Sequence, residues 1–284
     1  MQTADRPRFP LEVAAVLAEE LYGVTGSCEA LAGERDQNVL LRGERPWVLK
    51  ISHPGEPTEA LDLQRAALEV LRGSYQAHLY PVLRPALDGR SLPVLDVQEG
   101  PFTLRLVSYL PGAPLATIAE RGDGLLRDLG RRCGGLVGDL SSFAHAGMHH
   151  SLAWDPKRAF TTIRARLTAI EAPADQLLVR RVVDDCEARL LQLMPSLAMQ
   201  VIHGDLNDHN VLVEGQRVSG LIDFGDMLRG YRICELAHLL AYVLLGRDER
   251  GREASLVLEG YRQVQEPTVE ELLGDVDTKR FMMP

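Results

Sequence analysis

Residues 201–226 read VIHGDLNDHNVLVEGQRVSGLIDFGD, and eight positions within them hold His203, Asp205, Asn207, Asp208, His209 and Asn210. VIHGD is an apolar strand entering a turn, NVLV is a second strand that leaves at Gly215, and RVSGLIDFG is a third that runs into another polar turn. Two strand ends thus carry Asp205, Asn210 and Asp223 towards what can be one place, although Asp223 follows Asp205 by eighteen residues. Phosphoryl transfer calls for such a set. One carboxylate accepts or orients the proton of an attacking hydroxyl, while another carboxylate and an amide hold Mg²⁺ on nucleotide phosphates. Hard oxygens suit that ion, whereas imidazoles would suit zinc. Polar turns at strand ends would explain each residue singly but not the joint pattern. Asn207 and Asp208 read as turn formers, His209 as a loop residue, and Asp226 as either a support for the metal or the start of a helix. His145, His149 and His150 read as a loop after a helix C-terminus rather than a metal site.

These loops need elements to position them. The pattern predicts a helix over 10–23, strands over 27–33, 37–43 and 46–52, and a helix over 56–73 with an apolar stripe of Leu61, Leu68 and Leu71. Strand-like runs follow at 81–87, 92–97 and 101–110, ending at the YLPG turn. Beyond it the chain turns helical, over 125–146, 157–171 and 174–195. After the polar loops come a strongly apolar helix at 234–246 and another at 252–264. The fold class is α+β, with a small β-rich N-terminal lobe over 1–110, a mostly helical lobe over 111–284, and a cleft expected between them.

Composition narrows the function. The 284 residues are 45% hydrophobic and 25% charged, enough for a sizeable core. With 40 acidic against 31 basic residues the net charge is −9, which argues against nucleic acid as a partner and slightly favours a cationic small molecule. Cys28, Cys133, Cys186 and Cys234 form no CxxC pair, which fits reduced thiols in a cytoplasmic protein. The start MQTADRPRFP lacks the blocks of a signal peptide, and no run is long enough to span a membrane.

HGDLNDHN with LIDFGD resembles the catalytic and metal loops of the aminoglycoside phosphotransferase and choline kinase-like family, relatives of protein kinases that act on small molecules. The family pattern HxDxxxxN followed by IDxxx is matched by His203, Asp205, Asn210, Ile222 and Asp223. The resemblance implies a two-lobed protein-kinase-like fold, with Asp205 as catalytic base, Asn210 and Asp223 as Mg²⁺ ligands, and His203 shaping the catalytic loop. It also places GERDQN (33–38), with Gln37 and Asn38, where the family has its nucleotide-covering loop. VLKI (48–51) makes Lys50 the phosphate-binding lysine, and LVSYLPG (106–112) makes Ser108, Tyr109 and Leu110 the hinge that meets the base of ATP or GTP. The narrower likeness is to hydroxylysine kinases and kinase-like domains fused to aminotransferases. That implies an acceptor hydroxyl on an amino alcohol or hydroxylated amino acid.

The chain also departs from the pattern. The helix glutamate that usually pairs with the strand lysine falls on Gln64, which can accept a hydrogen bond from Lys50 but carries no charge. Residues 266–284 offer fewer helices over the acceptor site than relatives carry. These two departures motivate the alternative of a nucleotide-binding, catalytically weak regulatory or fusion-derived module. Arg232 and Glu235, opening the last apolar helix, are expected to pair locally or touch the acceptor; WDPK (154–157) resembles a branch feature without a role.

Overall fold

The computed structural model describes residues 6–98, 100–150, 152 and 154–272. The chain forms two compact units, Met1–Pro111 and Gly112–Pro284. Antiparallel strands dominate the N-terminal unit, and helices the C-terminal unit.

Unit 1 begins with α1 (Leu11–Tyr22). Pro10 precedes its first turn, and Gly23 closes it at φ 63°, donating its backbone N–H to the Glu19 carbonyl. The sheet contains β1 (Ser27–Leu31), β2 (Gln37–Arg42), β3 (Trp47–Ile51), β4 (Leu83–Arg84), β5 (Val94–Val97) and β6 (Gly100–Ser108). Its order is β1-β2-β3-β6-β4, with β5 also on β6, and every pairing is antiparallel. Alternation gives the sheet two different faces. Val39, Leu41, Leu49, Ile51, Leu104 and Leu106 pack with Ala14, Leu17, Ala18 and Tyr22 of α1 in one core. The intervening residues Asn38, Lys50 and Arg105 sit directly opposite one another, so they form a polar row on the other face. α2 (Thr58–Leu71) buries Leu61, Gln64, Leu68 and Leu71, as its stripe predicts.

Unit 2 holds α3 (Asp123–Asp139), α4 (Ala159–Arg166), α5 (Pro173–Leu193), α6 (Cys234–Leu244) and α7 (Arg250–Arg262). Its strands are β7 (Ala113–Pro114), β8 (Met199–Ile202), β9 (Val211–Glu214), β10 (Arg217–Leu221) and β11 (Leu228–Tyr231). The glycines of α3 have a packing reason. A Cβ on Gly130 would collide with the Val257 carbonyl oxygen of α7, and one on Gly260 would collide with the Arg127 carbonyl of α3. The two helices therefore approach backbone to backbone, which outweighs the poor helix propensity of glycine. Asp128, buried on α3, accepts from the Val218 N–H and so ties the helix to β10.

Three sequence expectations change. The helix expected over 125–146 stops at Asp139, and the one over 157–171 is a single short α-helix flanked by 3₁₀ turns. The run at 81–87 yields only the two-residue β4. β11 was not anticipated; its four residues pair with β8, a long-range contact that no local pattern announces. Residues 273–284, which carry most of the expectation about the C-terminus, lie outside the described residues.

Candidate active site

The site starts from strand topology. β9 and β10 form a hairpin turning at Gly215, while β8 pairs with β11. The chain must cross between these two ladders twice, once at 203–210 and once at 222–227. Because Val211 pairs with Leu221 and Ile202 with Leu228, the two crossings run side by side. Backbone bonds then lock them together. The Ile222 N–H donates to the Asn210 carbonyl at 2.9 Å, and the Ile222 carbonyl lies 3.0 Å from His203 Nε2. Residues distant in sequence are thereby joined, and the turn that carries Asp223 is held against the loop that carries Asp205 and Asn210.

In the first crossing His203, Asp205, Asn207 and Asn210 have defined partners. His203 is fully buried; its Nδ1 accepts from the Asp205 N–H at 3.3 Å, which assigns the proton to Nε2 and makes Ile222 O its acceptor. The Phe224 ring meets the imidazole edge-on, with centroids 4.6 Å apart. Gly204 adopts φ 82°, and a Cβ there would collide with the Asp226 carbonyl oxygen, so the turn admits only glycine without strain. Asn207 Nδ2 donates to Asp205 Oδ1 at 2.8 Å, and Asn210 Nδ2 donates to Asp205 Oδ2 at 2.9 Å. Both carboxylate oxygens are thus oriented by amides. Asn207 Oδ1 also accepts from the N–H groups of His209 and Asn210, so this turn former holds the whole loop.

The second crossing is strained where it matters. Asp223 is exposed and sits at φ 62°, ψ 69°, the one non-glycine with positive φ among the described residues. A left-handed aspartate costs of order 1–3 kcal/mol and persists where its surroundings impose it, a pattern frequent at functional sites. Asn210 directs its Nδ2 to Asp205, which leaves Oδ1 as its oxygen for a cation, and Asp223 adds a carboxylate. These hard oxygens fit Mg²⁺. Asp226 is buried, with Trp154 Nε1 donating to its Oδ2 at 3.0 Å. Lys157 Nζ reaches the Arg229 carbonyl at 2.6 Å, so the WDPK segment braces the second crossing.

In unit 1, Lys50 Nζ lies 3.8 Å from Asp36 Oδ2. Arg105, buried beside it, donates through Nη1 to Gln64 Oε1 and through Nη2 to Asp36 Oδ2 at 2.6 Å and Ser52 Oγ at 3.0 Å. Asn38 shares this face and donates to the Ala32 carbonyl. Gln37 points to the opposite face, where its amide exchanges two 2.7 Å hydrogen bonds with the Phe9 backbone. It anchors the segment before α1.

Residues 27–273 match the APH phosphotransferase enzyme family. The chain belongs to that family. It is a phosphotransferase. Among relatives, the hydroxylysine kinase of Xenopus laevis is 27% identical, over 94% of this phosphotransferase and 78% of that protein. The Mus musculus hydroxylysine kinase is 26% identical, over 93% and 77%. The fold is shared with a microcompartment-associated aminopropanol kinase (TM-score 0.75, 20% identity, 94% and 86% covered). It is also shared with the amicoumacin kinase hAmiN in complex with AMP-PNP (TM-score 0.74, 20% identity, 95% and 82% covered).

Ser108 and Tyr109 engage their N–H groups with the carbonyls of Val82 and Pro46, and Ser108 Oγ accepts from the Val82 N–H. Leu110 follows them, half-buried. Arg232 forms a two-pronged pair with Glu271, at 2.9 and 2.7 Å. Glu235 does not pair locally: fully buried on α6, it accepts the Gly204 N–H at 2.8 Å and so supports the first crossing from below. Burial raises its carboxyl to about 7, partly offset by backbone hydrogen bonds from Gly204 and His203. One turn on, burial pushes His238 down to about 4, with the charge of Asp205 acting the other way. Asp36 and Arg105 are not among the residues that the sequence singles out. Only Asp36 carried a local signal, as part of GERDQN. Among the described residues, no helix is long and apolar enough to cross a membrane.

Proposed function

We propose that the chain transfers the γ-phosphate of ATP to a hydroxyl of an amino alcohol or hydroxylated amino acid, with Asp205 as the base. GTP is the alternative donor. The single observation that supports the reading is the double anchoring of Ile222 by Asn210 and His203, which holds the turn carrying Asp223 against the loop carrying Asp205 and Asn210. In this mechanism Asp205 orients the acceptor hydroxyl and takes its proton. The acceptor oxygen bonds to the γ-phosphorus, the β–γ bridging P–O bond breaks, and ADP leaves. Asn207 and Asn210 keep the carboxylate aimed. Asn210 and Asp223 would hold Mg²⁺, which when bound offsets the negative charge of the phosphates. His203 shapes the loop. Lys50 grips the phosphates, Asn38 borders the covering loop, and Leu110 is the hinge donor left for the base once Ser108 and Tyr109 are engaged internally. Positioning and electrostatics supply most of the rate.

The acceptor class draws on two supports: relatives named hydroxylysine kinase and a structural neighbour named aminopropanol kinase. The net charge of −9 favours a cationic acceptor. The spacing of the four cysteines, without a CxxC pair, supports a cytoplasmic location. The test is a coupled turnover assay with Mg²⁺ and ATP or GTP against amino alcohols, hydroxylated amino acids and aminoglycosides. Asp205→Ala is expected to lose turnover at least 10³-fold while retaining nucleotide binding, on the scale of roughly 10²–10⁴ for a positioned base. Equal turnover in wild type and variant would overturn the assignment.

A further inference from the structure

We propose that Asp36, from the loop between β1 and β2, is the counter-ion that positions Lys50, a task that kinase-like folds give to a helix carboxylate. The inference rests on Lys50 gripping nucleotide phosphate as described above. Lys50 and Arg105 stand directly opposite each other on β3 and β6 and project to the same face. Two cations so placed repel, and Arg105 is buried, so neutralisation has to come from close by. α2 does not supply it: the residue it presents is the uncharged Gln64, and Gln64 Oε1 accepts from Arg105. The negative charge comes instead from Asp36, and one oxygen serves both cations. Oδ2 accepts from Arg105 Nη2 at 2.6 Å and lies 3.8 Å from Lys50 Nζ.

The surrounding loop is built to keep that oxygen there. A Cβ on Gly33 would come within 2.5 Å of Asn38 Nδ2 and 2.6 Å of the Asp36 carbonyl, so glycine lets the loop curl tightly against the sheet. Asn38 and Arg6 then fasten it, by donating to the carbonyls of Ala32 and Gly33 at 2.9 and 2.8 Å. Arg105 is the rigid part, fixed on Gln64 and Ser52, and it holds the carboxylate in place. The arrangement ties the position of the lysine to the loop between β1 and β2.

The test compares wild type, Asp36→Asn, Lys50→Ala and the double variant, by kcat/KM for ATP and by calorimetric binding of ATP and adenosine. Asp36→Asn is expected to lower kcat/KM for ATP by at least about tenfold, the scale of a charge-assisted contact. Adenosine, which has no phosphate, is expected to bind unchanged. In the Lys50→Ala background the same substitution is expected to have no further effect, because the two residues act as a unit. Asp36→Glu restores the charge and is expected to recover most of the activity; Asp36→Ser repeats the experiment should the asparagine variant not fold. The proposal is overturned by equal weakening of ATP and adenosine, which marks a structural loop residue. It is also overturned by additive losses in the double variant, or by tighter ATP binding at unchanged kcat, which marks simple charge screening. A wild-type chain that neither binds nor turns over nucleotide would instead overturn the kinase reading, and this proposal with it.

Discussion

Replacing Glu235 with glutamine isolates the support beneath the catalytic loop, and its pH dependence has a definite sign. Glu235 is 1% exposed, with Oε1 on the Gly204 N–H and Oε2 without a hydrogen-bond partner among the described residues. Burial raises its carboxyl from an ordinary 4.5 to about 7. The folded chain therefore retains a proton that the unfolded chain releases near 4.5. Stability from this group is fully present below 4.5 and is lost as pH rises towards 7, by about 3 kcal/mol in total. Glu235→Gln keeps an oxygen for Gly204 but cannot ionise. Its added NH₂ lies where Oε2 lacks a partner, which costs about 1–3 kcal/mol at every pH. The variant should be the less stable chain at pH 5 and should match or exceed wild type at pH 8. At about 2–4 °C per kcal/mol for a chain of this size, the difference in Tm should swing by roughly 6–12 °C across that range. Paired thermal unfolding from pH 5 to 8 measures it. A difference between the two chains that stays constant with pH would refute the reasoning, since it would mean that Glu235 does not titrate on folding.

Two further outcomes follow from contacts already described. Asn207→Ala removes the donor to Asp205 Oδ1 and the acceptor for two loop N–H groups. It should lower kcat at least tenfold with little change in nucleotide KM, which steady-state kinetics with varied ATP would check. Gly130→Ala pushes a methyl group into the Val257 carbonyl and should destabilise the chain by roughly 1–3 kcal/mol despite the better helix propensity of alanine. Gly124→Ala, on the same helix but with nothing within 4 Å, should be neutral or slightly stabilising, and urea titration of both variants beside wild type checks the pair.

Local chemistry and local geometry are legible from the chain alone. HGDLNDHN and LIDFGD carry their polar residues at fixed offsets between apolar strands, so the order and types of the candidate catalytic and metal-binding groups are readable without coordinates. Stripes and alternation likewise locate α1, α2, β2, β3 and β6, because each periodicity follows from the geometry of its own element. Only the tertiary structure decided which distant groups meet. β8 pairing with β11 brings the two polar crossings together, and Ile222 joins them. The same holds for Gly130 and Gly260: as sequence they weaken helices, and as structure they are where α3 meets α7. Gln64 shows the division within one residue. Its burial was legible from its place on the stripe of α2, but its partner was not. Arg105 is 41 residues away, and Asp36, which bonds the same guanidinium, is 69 from it. Such pairings depend on the sheet register, which sets Lys50 against Arg105 and which no short stretch of sequence contains.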